Sequence, residues 1–523
     1  MVTFEWIIVL LFGAALLSAL ARRLAIPYPT LLAIGGACLA FVPNNPGWTL
    51  DSHLALTLFV APVLLDAAYD SSPRDLKDNW RSVASLAITA VGATTAVIAL
   101  VAHALVPGMP WAVAIALGAI VAPPDAAAAT AVLRQVRLPH RILTILEGES
   151  LINDASALIV YRVAVLAAVS GSVSAITVVP AFLITVVGSV VAGLACALLF
   201  QRVNRVFHDV PTALIVQFAS TFGVWIAAEA IGLSGILTIV VYAVTIARVG
   251  RLSLPARMRV PINAVWETAV FVLNILAFVL IGMQLRPIWD RLDASTRLDY
   301  VVVALAVLAT AVIVRFAWVM GYNGARILLP ATIDRRTGRP IPKPTLKGGV
   351  IISWAGMRGI VTLATAFALP ETLADGSPFP YRDLVLLTAF AVVFGTLVIQ
   401  GLTLKPLIAL MGLNPEDPVG DEVKWARAEA YRAAITAIDG DTSDEAALLR
   451  KEYAAAIGPS ATTESGGRLE DLPGNAIRRA AIVAARNRAN ALRLEGAIGD
   501  AAYRALESEF DWAELSAGSG AFR

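Results

Sequence analysis

Charge is scarce in this chain. Of its 523 residues only 15% are charged, where an ordinary soluble domain carries about 25%. Cysteine is scarcer still. Cys38 and Cys196 both lie inside apolar runs, which excludes a disulfide framework or a thiolate metal site and leaves two small core residues. The four histidines, His53, His103, His140 and His208, are scattered and form no HxxxH pair. No excess of one sign is present to attract a polyanion, the net charge being +2, so no nucleic-acid partner is expected. What abounds is apolar: 58% of the residues are hydrophobic and mean hydropathy is +0.73. A soluble enzyme, a fibre or a disordered chain does not have that composition; a polytopic membrane protein does.

Apolar segments run at about 4–21, 24–42, 52–69, 82–106, 111–133, 142–168, 175–201, 212–231, 234–248, 261–285, 298–325, 347–370 and 381–411. Each of these thirteen is near the ~20 residues that carry a helix across a bilayer. The first lacks a basic start and a small-residue cleavage site, and Arg22 and Arg23 follow it, so it reads as a span and not as a signal peptide. Alternate loops divide the basic residues twenty to four. The rich set begins with Arg22 and Arg23 and includes Arg248, Arg251, Arg257 and Arg259; the poor set is Arg286, Arg291, Arg297 and Arg382. The positive-inside rule makes the rich set cytoplasmic, with the N-terminus outside and the C-terminus inside.

The composition changes after Leu413. Residues 414–523 carry 13 Lys/Arg and 19 Asp/Glu, a net of −6 that leaves +8 on residues 1–413. Thr442 and Glu445 have capping-box spacing ahead of a helix near 443–456. Gly458-Pro459-Ser460 and Gly466-Gly467 read as linker, and a second helical stretch covers about 475–514. The expected fold class is an all-α membrane protein of about thirteen transmembrane helices, residues 1–413, with a small helical cytosolic tail, residues 414–523.

Six ionisable residues fall deep inside spans: Asp66, Asp125, Glu149, Asp154, Arg315 and Arg358. Each costs ~2.5–3.5 kcal/mol to insert. Together, unpaired, they would exceed the ~5–15 kcal/mol that holds a typical fold, so they must face each other or water. At 1.5 Å rise per residue, Asp154, Asp125 and Arg358 lie roughly 17–21 Å along their spans, near the middle of a ~30 Å core. Convergence at mid-membrane is what a transporter site requires. Elsewhere, Glu5, Glu229 and Glu267 read as interface hydrogen bonds or headgroup contacts. Arg162, two turns beyond Asp154, pairs with a carboxylate or snorkels outward. Glu147 lines an entry funnel or a solvated helix end.

The sixth span reads Glu147-Gly148-Glu149-Ser150-Leu151-Ile152-Asn153-Asp154. Ser150 and Asp154, four apart, share one helix face; Glu149 and Asn153 share another. One pair can hold a cation with oxygens and the other can engage an arginine, or both can belong to a plain buried hydrogen-bond network. The fifth span is interrupted at Ala122-Pro123-Pro124-Asp125 and the twelfth at Trp354-Ala355-Gly356-Met357-Arg358-Gly359. Prolines in mid-span free backbone carbonyls, which are tolerated only inside protein or beside a cavity. One interruption in each half points to an inverted repeat with a site between the halves; the alternative is two packing kinks.

These residues resemble the sodium–proton exchanger family of monovalent cation–proton antiporters. The resemblance rests on Leu65-Asp66-Ala67-Ala68-Tyr69, Pro124-Asp125-Ala126-Ala127-Ala128, the string from Gly148 to Ala155, and Gly356-Met357-Arg358-Gly359, in order across about 1–411. It implies two inverted repeats of six helices, two broken crossing helices, a homodimer, and a mobile core that works as an elevator. On it, the dimerisation part is about 4–69 and 212–285, and the core part about 82–201 and 298–411. Asp154 resembles the carboxylate that binds Na⁺ and H⁺, and Asn153 the neutral residue before it. Ser150 and Asp66 resemble supporting ligands, Glu149 an acid paired with Arg315, and Arg358 the arginine of the second break. Many members have Thr or Val where this chain has Pro124, before Asp125. The carbonyl of Pro123 or Pro124, or Thr130, is the substitute oxygen.

The implied activity is exchange of Na⁺, Li⁺ or K⁺ for H⁺ across the plasma membrane, with no cofactor and no enzymatic step. Burial disfavours a charged carboxylate, so a proton and a cation compete for Asp154. Asn153 leaves one titrating group in the pair, which favours one-for-one, electroneutral exchange. A channel or a transporter of another small solute fits the same scaffold; beside the fifth-span break only the small residues Ala126 to Ala129 would meet a larger substrate. An intramembrane aspartyl protease lacks its Tyr-Asp and Gly-x-Gly-Asp contexts. Oxygen ligands suit all three alkali ions, and cavity size and ligand number select among them.

Overall fold

The computed structural model describes residues 2–24, 26–43, 52–125, 128–129, 139–170, 175–207, 209–249, 255–328, 343–373, 375–412, 418–457 and 475–516. Among the described residues every regular element is a helix. The membrane part holds α1 (Val2–Leu24), α2 (Tyr28–Leu39), α3 (His53–Asp70), α4 (Pro73–Asp78), α5 (Trp80–Leu105), α6 (Trp111–Val121), α7 (His140–Ser170) and α8 (Ala175–Asn204). It continues with α9 (Val210–Ala230), α10 (Gly235–Val249), α11 (Ala256–Met283), α12 (Leu285–Asp290), α13 (Arg297–Leu328), α14 (Leu346–Trp354), α15 (Ile360–Phe367) and α16 (Arg382–Met411). Nine helices are long and apolar enough to cross a bilayer among the described residues, three apolar ones are shorter, and α14 with α15 form one interrupted span. Together they occupy all thirteen apolar segments.

Packing divides the helices into two groups. In the first, α2 lies along α11, α1 covers α2, and α10 is enclosed by α3, α8 and α9. The α2–α11 approach is close enough that a Cβ at Gly36 would overlap the Val279 carbonyl and one at Gly282 would overlap the Ala33 carbonyl. Small residues permit such backbone contact, and dispersion then replaces the hydrophobic drive that lipid does not supply. In the second group α6 packs between α5 and α7, and α13 packs on α5, α14 and α16. The helix α8 belongs with α9 and α10 by its contacts. The family resemblance places 175–201 in the core part, and its apolar run carries no charge that names its neighbours. The most lipid-like surfaces, with Phe12, Ile184, Leu199, Ile215 and Ile226 well exposed, are on α1, α8 and α9.

The tail is also helical, but its pattern differs from expectation. It comprises α17 (Pro418–Ala437), α18 (Asp444–Ile457), α19 (Asn475–Leu494) and α20 (Asp500–Ser516), packed around Ala426, Ala430, Ile482, Ala485, Tyr503 and Phe510. The cap of α18 is Ser443, whose Oγ accepts from the Ala446 N–H at 3.2 Å, and not Thr442. The stretch read as one helix over 475–514 is two, because Gly496 turns the chain at φ +74°, a conformation that ends helices.

Candidate functional site

The two interrupted spans cross at their breaks. The N–H of Asp125 donates to the carbonyl of Met357 at 2.6 Å, so one break supplies the hydrogen-bond partner the other lost. Around this crossing the buried arginines are spent on specific groups. Arg358, 1% exposed, donates from Nε to the Val121 carbonyl at 3.1 Å and from Nη1 to the Gly356 carbonyl at 2.5 Å. It thus sits at the carbonyl end of α6, where the helix dipole favours a cation. Its own N–H donates to Thr396 Oγ1 at 3.1 Å, a support from α16 that nothing in the sequence pattern singled out. Arg315 grips Glu149 through two bonds, Nη1 to Oε1 at 2.5 Å and Nη2 to Oε2 at 2.8 Å. It also donates to the Ile352 carbonyl at 3.1 Å, so α13 is tied to α7 and α14 together.

The six residues assigned above to ion and proton binding separate into two sets. Asp154, Asp125, Ser150 and Asp66 line one cavity of about 1470 Å³. Asn153 and Pro124 stand behind it: Asn153, fully buried, donates from Nδ2 to the Pro124 carbonyl at 2.7 Å. The carbonyl offered as the substitute oxygen therefore holds the fifth-span break against α7. Thr130 lies outside the described residues. The carboxylate of Asp125 lies against Gly359 at the N-terminal end of α15, and a Cβ at Gly359 would overlap it. Gly359 was legible only as part of a motif; its reason is this close approach. The Ser156 hydroxyl donates to the Ala87 carbonyl at 2.6 Å. That carbonyl belongs to a π-helical turn over Ser85–Ala90, where the widened ladder exposes carbonyls.

Among the described residues no three acidic, histidine or cysteine side chains converge as a closed metal cage. The wall instead offers carboxylates and a hydroxyl on the side of an open cavity. Oxygen donors of this kind suit a hard cation. The remaining ambiguous pair also resolves. Arg162 Nη2 donates to Glu229 Oε2 at 2.6 Å, and Glu229 Oε1 accepts from the Gly235 N–H at 2.8 Å, so α7 meets the α9–α10 turn through one carboxylate.

Residues 7–410 match the sodium/hydrogen exchanger transmembrane family. An uncharacterised Na⁺/H⁺ exchanger of Mycobacterium tuberculosis is 30% identical over 530 residues, covering 97% of this chain and 95% of that one. A sodium, potassium, lithium and rubidium/H⁺ antiporter of Bacillus subtilis is 32% identical over 393 residues, covering 73% of this chain and 58% of that one. The structure of a sodium proton antiporter from Methanocaldococcus jannaschii superposes with a TM-score of 0.60 at 17% identity, over 78% of this chain and 99% of that one, a likeness of fold. With its crossed breaks, its Glu149–Arg315 pair and this match over nearly all of its spans, the multi-pass chain belongs to the sodium/hydrogen exchanger family.

Proposed function

We propose that the protein exchanges Na⁺, or another alkali cation, for H⁺ across the cell membrane by competition at Asp154. The observation that carries this reading is the placement of Asp154, 6% exposed, on the wall of the cavity while both neighbouring arginines are engaged elsewhere. A buried carboxylate without a guanidinium partner is most stable holding a proton or a metal cation. One group that takes either, but not both, couples the two fluxes. Asp125, Ser150 and Asp66 supply further oxygens, and Asn153 and Pro124 hold the break in shape. The relatives named for exchange of Na⁺ and of several alkali cations support the ion class. The first helix group acts as the dimerising scaffold of a homodimer, and the second carries the site past it as an elevator. The N-terminus is outside, and the tail is cytoplasmic. Reconstituted vesicles with a pH dye and a panel of Na⁺, K⁺ and Li⁺ gradients test the reading; no proton movement with any of them removes it.

Two expected results follow from this reading. With one titrating group at the Asn153–Asp154 pair, one proton moves for one ion and net charge is zero. Sodium-driven proton flux is therefore expected to stay constant when voltage is clamped at several values with valinomycin and potassium. A steady rise with voltage would show a second coupled proton, on Asp125 or Asp66. Gly359→Ala is expected to raise the half-saturating sodium concentration severalfold with the protein still inserted, because the new methyl displaces the Asp125 carboxylate. Unchanged sodium dependence would show that Asp125 takes no part in holding the ion.

A further inference from the structure

The cavity that holds Asp154 is not walled by the membrane helices alone: Arg504, Ser508 and Trp512 of tail helix α20 line it as well. The tail is seated there by a buried cluster. Arg259, near the start of α11 and 5% exposed, donates from Nε to Asp511 Oδ2 at 2.8 Å and pairs through Nη1 with Glu507 at 3.5 Å. Glu507 and Asp511 are 6% and 4% exposed, and Arg486 of the tail donates to Asp511 at 3.0 Å. Charges buried to this degree are costly when unpaired, so loss of one partner weakens the whole contact. It is also complementary in net charge, −6 on residues 414–523 against +8 on residues 1–413.

The same tail holds a second point. Asp500 accepts from the Ser72 hydroxyl at 3.3 Å, and Glu422, which accepts from the Gly499 N–H at 2.7 Å, pairs with Arg74 at 3.7 Å. Ser72 and Arg74 begin the short helix α4, and α4 is fixed to the base of the site helix. Asp75 contacts His140 at 3.1 Å, Asn79 accepts from Arg141 at 3.1 Å, and Leu76 lies against Gly148. The tail therefore grips α11 of the first helix group directly and α7 of the second through α4.

From this bridging we infer that the tail is a clamp across the two helix groups that favours the conformation open toward the tail. This rests on the antiport reading, whose cycle moves one group past the other. A clamp that bonds both groups in one arrangement adds its free energy to that arrangement alone and shifts the population toward it. Apparent affinity from either face scales with the fraction of molecules open to that face. Releasing the clamp lowers that fraction on the tail side and raises it on the other.

The test uses the full chain in oriented vesicles, with half-saturating sodium measured separately from each face. Glu507→Gln/Asp511→Asn is expected to raise the value on the tail side about threefold or more, and to lower it on the opposite side. Arg432→Lys, at an exposed tail pair with Glu429 away from this cluster, is expected to stay near the unmodified values. If the double variant does not reach the membrane, Asp511→Asn alone is read in the same way. A lower maximal rate with both half-saturating values unchanged, or both moving together, marks a structural role and overturns the clamp. If the unmodified chain carries no sodium-driven flux, the antiport reading fails and the clamp with it.

Discussion

Replacing Asp154 by Asn is expected to reduce cation-driven proton flux to that of protein-free vesicles while the protein remains folded and inserted. The amide has the carboxylate's size and shape, so the cavity wall is kept. It holds no exchangeable proton at any working pH and brings no charge to a cation, so both halves of the competition vanish together. Because a carboxylate buried to 6% exposure is penalised whenever it is charged, the variant should be at least as resistant to heat as the parent. That combination separates loss of chemistry from loss of fold. Full-rate, sodium-dependent flux in Asp154→Asn would remove this residue from the centre of the mechanism.

The second large effect is on stability. Glu149 and Arg315 have side chains 1% and 4% exposed and are joined by two hydrogen bonds. Removing one partner leaves the other charge buried, which typically costs ~3–5 kcal/mol. Glu149→Ala is thus expected to lower the midpoint of thermal unfolding markedly. Since Arg315 also holds the Ile352 carbonyl of α14, the loss spreads to the second break. The double variant Glu149→Gln/Arg315→Met leaves no unpaired charge at this pair and should recover part of that loss. A double variant no better than the worse single one would show that the pair is not the source of the stability.

Much of the site was legible because membrane insertion makes charges conspicuous. Asp154, Asp125, Glu149, Arg315 and Arg358 stand out in apolar runs for a physical reason, and pairing Glu149 with Arg315 followed from the family resemblance. What the sequence hid was the division of labour among neighbours. Asn153 and Pro124 look like ligands by position, and the bond from the Asn153 amide to the Pro124 carbonyl is a contact between distant segments that no local pattern announces. The helix over Ala175–Asn204 packs on α9 and α10, neighbours that its uniformly apolar sequence does not name. Arg259 was one of twenty basic loop residues in a topology tally, and nothing in its local sequence announced Glu507 or Asp511, about 250 positions later. In the tail, Gly496 gave no periodic signal strong enough to split one helix into two.

The cavity also fixes where the membrane voltage falls. A space of about 1470 Å³ lined by charged and polar groups has room for roughly fifty waters, and solution of that extent conducts. The electric field then falls mainly across the protein that lies outside the water-filled space, instead of declining evenly across the bilayer. On the exchange proposed above, an ion entering from the tail side would traverse little of the potential before it reaches Asp154, and most of the drop would be met when the loaded site changes sides. On the same proposal, a proton returning on that carboxylate would meet the same drop in reverse, so that one-for-one exchange would cancel the two limbs. Any unmatched second charge carried through that step would work against nearly the full ~2.3 kcal/mol per 100 mV.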